Sequence, residues 1–213
     1  MTTMTKINLA CLFFLLLSFR AAPGSAGLMI NEIMYNPSAV SDSSGEWFEI
    51  YNSGNAVNLQ GYSFADAAGS FTISSGLIIP AGGYLALARS GDPAVNGGFA
   101  PGYAYGSALA LGNSGDSLSM WDPADNLVNS LDYGAGDFPS AAGASICFIG
   151  TGDNSLGTNW FSAADEGLAY GAGDFGTPGA PNSAAVPEPA SLLLIGTGVV
   201  GLLAGSRKKR RHG

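Results

Sequence analysis

Gly45-Glu-Trp-Phe-Glu-Ile-Tyr-Asn52, closed at once by Ser53-Gly54, is the stretch on which the fold turns. Trp47 to Asn52 is a short aromatic and apolar run, which predicts a strand, and Asn52-Ser-Gly54 is the turn signal that ends it. The same unit repeats outward in both directions. Before it lies a candidate strand from Leu28 to Tyr35, ended by Asn36-Pro37. After it come Gly61 to Phe64, Ser70 to Ser74, Tyr84 to Arg89, Ser117 to Trp121, Asn126 to Tyr133 and Ser145 to Ile149. Pro80-Ala-Gly-Gly83, Asn113-Ser-Gly115 and Asp122-Pro123 supply further turns. No long helical period interrupts this series. Short strands at this spacing predict an all-β, antiparallel sandwich.

Charge narrows the function. The chain has 213 residues with 8 Lys or Arg against 16 Asp or Glu, and the imbalance is uneven along it. Between Gly27 and Val186 there are fifteen acidic residues and one basic residue, Arg89. Such a body repels phosphate backbones, so nucleic acid is excluded as its partner. The sole histidine, His212, lies in the basic tail, which leaves the body without imidazole for a zinc site or a Ser-His-Asp triad. Of the two cysteines, Cys11 belongs to the apolar N-terminal run. Cys147 then stands alone in Ser145-Ile-Cys-Phe-Ile149 and reads as a buried strand thiol rather than a nucleophile.

Both ends address the protein. Lys6, the apolar run Leu9 to Phe19 and the small residues ending Gly24-Ser-Ala26 form a secretory signal peptide over 1–26, cut by signal peptidase after Ala26. Eleven apolar residues are too few for a comfortable membrane span, which argues against a retained anchor. At the other end, 183–189 reads as a Pro-rich linker, 190–206 as a transmembrane helix and 207–213 as a basic cytoplasmic tail. Seventeen helical residues reach about 25 Å, short of a hydrocarbon core of about 30 Å. Arg207, Lys208, Lys209, Arg210 and Arg211 form a stop-transfer cluster held inside by the positive-inside rule. The body is therefore expected outside the cytoplasm.

Pro187-Glu188-Pro189, the short Gly-containing apolar segment and the terminal basic cluster together resemble the PEP-CTERM sorting signal. That resemblance implies a membrane-embedded exosortase as partner, which reads Pro187, Glu188 and Pro189 and removes the tail. The chain would be held at the inner membrane by its C-terminal helix before processing and would pass to the cell surface or extracellular matrix afterwards.

The body in turn resembles the lamin-tail domain, an immunoglobulin-like antiparallel sandwich found in lamins and in exported bacterial proteins. The likeness is carried by Ile30-Asn-Glu-Ile33, Gly45 to Asn52, Val57-Asn-Leu-Gln-Gly-Tyr62 and Ile79-Pro-Ala-Gly-Gly-Tyr-Leu85. Asn113-Ser-Gly-Asp-Ser-Leu118 and the closing Thr177-Pro-Gly-Ala-Pro-Asn182 continue it. Phe48 stands where an aliphatic residue is more usual. The resemblance implies that Asn31, Glu32, Glu46, Trp47, Glu49, Asn52 and Gly61 are fold signature, with Leu28 to Asn182 as one sandwich. Within it 135–176 reads either as core sandwich or as an irregular extension.

Three chemistries remain to be weighed. Glu32, Glu46 and Glu49 are close enough to converge as a glycosidase acid and base, or else to accept hydrogen bonds that fix the first strands. The resemblance favours the second reading, and no catalytic residue and no enzyme activity are expected. Tyr133-Gly-Ala-Gly-Asp-Phe138 recurs as Tyr170-Gly-Ala-Gly-Asp-Phe175, either as paired calcium loops or as a reused turn with its aromatics on the sandwich edge. One Asp per copy falls short of a calcium loop, so no metal or cofactor is expected beyond weak Ca²⁺ binding by loop carboxylates such as Asp66, Asp116 and Asp122. Tyr103, Tyr105 and Trp160 are candidates for stacking on sugars, or else they pack the sandwich. The composition and the sorting tail together point to a surface or matrix protein associated with exopolysaccharide or biofilm. A carbohydrate- or protein-binding adhesion module is the alternative.

Overall fold

The computed structural model describes residues 27–140 and 142–182. The signal peptide, the 183–189 linker, the 190–206 helix and the basic tail, with Pro187 to Pro189 and Arg207 to Arg211, lie outside the described residues. Among the described residues fourteen strands run in chain order: β1 Leu28–Met34, β2 Trp47–Asn52, β3 Val57–Asn58, β4 Ser63–Ala65, β5 Ser70–Thr72, β6 Ile78–Ile79 and β7 Tyr84–Ala88. They continue as β8 Tyr103–Ala104, β9 Asp116–Trp121, β10 Leu127–Tyr133, β11 Ile146–Phe148, β12 Trp160–Ser162, β13 Ala169–Tyr170 and β14 Asp174–Phe175. One helical turn, α1 Asp42–Gly45, precedes β2.

The two main sheets have the orders β12-β11-β1-β2-β7-β8 and β10-β9-β4-β5. Their facing sides share one core, in which Ile30, Ile33, Phe48, Ile50, Ile146 and Phe148 of the larger sheet meet Phe64, Leu118, Met120 and Leu131 of the smaller. The architecture is the expected all-β sandwich. Every pairing between named strands is antiparallel except one: β7 and β8 run parallel, Leu87 opposite Tyr103. A parallel neighbour needs a long crossover, and the residues between β7 and β8 provide it. Buried Asn96 braces that loop, donating to the Ser90 and Phe99 carbonyls and accepting from the Gly98 amide.

The stretch 135–176 proves integral to the sandwich. β11 joins the large sheet beside β1, with Glu32 opposite Cys147, and β12 extends it. Residues after β12 then fold back as a third layer on the outer face. Trp47, which points away from the main core, is sealed there in a second cluster with Met34, Ala86 and Ala88, against Phe99 and Tyr170. This cover explains why β2 lacks strict alternation, since Trp47, Phe48, Glu49 and Ile50 are all buried.

Gly61 sits at φ +86°, and a Cβ there would meet Pro123 at 3.2 Å. Only glycine adopts this turn without strain. Gly61→Ala is expected to cost about 1–2 kcal/mol of stability, read as a lower urea midpoint at unchanged slope.

A buried carboxyl pair that latches the closing segment

A β-bulge builds the centre of the site. Ile30 pairs with Ile50, but the next partner of Glu49 is Glu32, so Asn31 is an extra residue in β1. The insertion lets Ile30 and Ile33 both enter the core while Glu32 faces outward beside Glu49. The Ile30 amide donates to Asn129 Oδ1, and its carbonyl accepts from Asn154 Nδ2. Two asparagines from the second sheet and the 150–156 loop thus pin the bulge.

Glu32 and Glu49 are both fully buried. Glu32 Oε1 accepts from Ser145 Oγ and from the Thr177 amide, and Oε2 lies 2.7 Å from Thr177 Oγ1. Glu49 Oε1 accepts from Asn31 Nδ2, and Oε2 accepts from the Gly179 amide. Asn182 completes the closure. Its Nδ2 donates to the carbonyls of Asn31 and Phe148, while its Oδ1 accepts from Asn31 Nδ2. Gly176 passes so close that a Cβ would come to 3.0 Å from Glu32 Oε1, Ser145 Oγ and Trp47 Cζ2. The segment Thr177 to Asn182 is therefore latched onto β1 and β2 by carboxylates and amides.

The hydrogen bonds place a proton. Thr177 Oγ1 has one hydrogen but two acceptor neighbours, Glu32 Oε2 at 2.7 Å and Asn182 Oδ1 at 3.1 Å. Asn182 Oδ1 carries no hydrogen, so an ionised Glu32 leaves the single threonine hydrogen split between two acceptors, whereas a protonated Oε2 donating to the threonine gives each contact its own hydrogen. Both oxygens of Glu49, by contrast, accept from N–H groups, which suits the ionised form. Burial raises Glu32 above the ordinary carboxyl range against the pull of its hydroxyl and amide donors. Glu49 is pushed up to about 8, first by burial and then by the charge of Glu32. A proton on Glu32 removes that second cause, so Glu49 is the member that ionises first.

Glu46 does not join the pair. Its Oε2 binds Arg89 Nη1 at 2.9 Å and the Leu111 amide at 3.1 Å. Burial raises its carboxyl, while the Leu111 amide and then Arg89 oppose the rise. Trp47 donates from Nε1 to the Tyr170 hydroxyl at 2.9 Å. Asn52 gathers the carbonyls of Asn55, Ile79 and Pro80 on Nδ2 and caps the turn by accepting from the Gly54 amide. Cys147 is buried, and burial followed by the nearby Glu32 charge pushes its thiol up, away from a reactive thiolate.

Two other expectations are sharpened. The repeated hexapeptides are both turns, but they are not equivalent. Asp137 is exposed, whereas buried Asp174 accepts from the Ser38 and Ala39 amides. Tyr133 stacks on Tyr35 and Tyr170 packs edge-on to Trp47, so the aromatics serve the fold. No group of three His, Cys, Asp or Glu suited to a metal occurs among the described residues. Tyr105 and Trp160 are buried and Tyr103 is half-buried against Phe71, which removes all three as an open sugar platform. Sequence reasoning gave no role to Ser145, Thr177 or Asn182. The fixed spacing of polar ends around Pro-Gly-Ala-Pro was the available signal for the last two.

Together these features define a β-sandwich whose buried polar centre serves closure. A family model for the lamin tail domain matches residues 21–135, more than half of the chain, and the chain belongs to the lamin tail domain family. A model of the PEP-CTERM protein-sorting motif matches residues 185–210. That motif marks an exported protein, held at the membrane and handed to an exosortase before it reaches the surface. No curated protein matches the chain. No helix among the described residues is long and apolar enough to cross a membrane.

Proposed function

We propose that this chain is a non-catalytic surface or matrix protein, associated with exopolysaccharide after its sorting tail has been processed. The observation that carries the reading is where the body ends. Asn182 is locked against Asn31 and Phe148, and the sorting motif begins at 185. A closed domain is thus followed almost at once by an address. Of the carboxylates a hydrolase would use, Glu32 and Glu49 are buried and spent on the closing segment and Glu46 on Arg89 and the Leu111 amide, which supports a role without chemistry. Replacing Pro187, Glu188 and Pro189 by Ala tests it through cell fractionation and intact mass. Wild-type protein is expected at the surface or in the medium, shortened at its C-terminus. The triple variant is expected in the membrane fraction with Arg207 to Gly213 retained. Identical distribution and mass for the two would sink the proposal.

A further inference from the structure

At the end of the sandwich where β1 begins lies a cavity of about 570 Å³, walled by the β9–β10 turn and the 150–156 loop. Its size is that of a small-ligand site. Asn129 and Asn154 in its wall are spent on each other and on β1. Other groups are open. Tyr62 is 9% exposed, with its ring in the core and its side chain lining the cavity. The ring is packed while the hydroxyl is open to the cavity, so it offers a donor and an acceptor to an occupant. Burial and the charge of Asp122 raise Tyr62, which keeps that hydroxyl protonated.

The rest of the lining sets the chemistry. Asp153 takes the Ser155 amide on Oδ1 and the Ser155 side chain as well, and the rest of its carboxylate is exposed at the cavity. Asn126 donates to Asp122 through Nδ2 and leaves Oδ1 open. Leu127 is 60% exposed at the same cavity. The open polar atoms are thus chiefly acceptors with one hydroxyl, beside an apolar side chain. No Lys or Arg lines the cavity. An anion is repelled by Asp122 and Asp153. A ligand rich in hydroxyl donors, with an apolar C–H face for Leu127, fits both parts.

We infer that this cavity binds an uncharged saccharide, with Tyr62, Asn126 and Asp153 hydrogen-bonding its hydroxyls. The inference rests on the matrix reading above and supplies its ligand class. Affinity electrophoresis of the full chain in detergent tests it, with dextran, laminarin and starch as neutral polymers, alginate as the acidic one and polylysine as a cationic polypeptide. At least one neutral polymer is expected to retard the chain, and alginate is not. Tyr62→Phe, which keeps the packed ring, and Asp153→Asn, at a fully exposed carboxylate, are each expected to weaken that retardation about tenfold. Retardation by alginate or by polylysine alone, or by no polymer, overturns the assignment. Equal retardation of wild type and both variants also overturns it. Matrix retention of the chain in cells is scored separately. If wild type and Tyr62→Phe are retained equally, the matrix reading stands and the cavity assignment falls. If neither is retained but the neutral polymer still distinguishes them, the cavity assignment stands and the matrix reading falls.

Discussion

A chain ending at residue 135, where the lamin tail match stops, is expected not to fold, whereas one ending at Asn182 is. The shorter chain lacks β11 and β12, which leaves β1 as an unpaired edge. It also removes Ile146, Phe148 and Trp160 from the main core, all at 6% exposure or less. Losses of this kind cost about 2–5 kcal/mol per large core side chain, so three approach the whole stability of about 5–15 kcal/mol expected for a domain. On the outer face, Trp47 would lose its Tyr170 partner, and its cluster would open to water. Thermal unfolding followed by near-ultraviolet circular dichroism checks this on chains 27–135 and 27–182. A cooperative transition is expected for the longer chain and none for the shorter. Equal midpoints would mean that β11 and the outer layer are dispensable, contrary to the packing.

What was legible in the sequence is what short-range pattern dictates. β2 has the predicted bounds, and β7, β9 and β10 fall within one residue of theirs, because apolar runs and turn residues mark them locally. The two-residue strands β3, β6, β8, β13 and β14 were missed. Each exists only through its partner, as Val57 does opposite Ile79, and no periodicity fits in two residues. The bulge at Asn31 was equally hidden, since nothing in Ile30-Asn-Glu-Ile33 says which residue is extra. Without it Ile33 and Glu32 would exchange faces and the carboxyl pair would not exist. The signature residues were named from a likeness and given no mechanism. Their mechanism needed Thr177 and Asn182, 145 and 151 positions away from the groups they bind.

Glu32→Gln and Glu49→Gln are expected to behave oppositely, because the proton is placed unequally. A protonated Glu32 presents one acceptor oxygen to Ser145 and the Thr177 amide and one O–H to Thr177 Oγ1. Glutamine offers the same pattern, an oxygen acceptor and an N–H donor. Glu49→Gln instead turns an NH₂ against either Asn31 Nδ2 or the Gly179 amide, and donor faces donor. Its expected cost is about 2–4 kcal/mol, as for a buried network broken on one side. The pH dependence separates the two further. Both carboxyls are raised above the ordinary value of 4.5, so above that pH the folded state binds more protons than the unfolded one. Wild-type stability is then fullest below about 4.5 and falls as pH rises for as long as Glu32 keeps its proton. A single retained proton gives a slope of about 1.4 kcal/mol per pH unit. Glu32→Gln removes that proton and leaves Glu49 raised by burial alone. Its stability between pH 5 and 8 should therefore flatten, overtaking wild type toward the alkaline end. Urea unfolding at pH 5, 6.5 and 8 measures all three proteins. A Glu32→Gln variant that keeps the wild-type slope, or a Glu49→Gln variant that matches wild type throughout, would put the proton elsewhere.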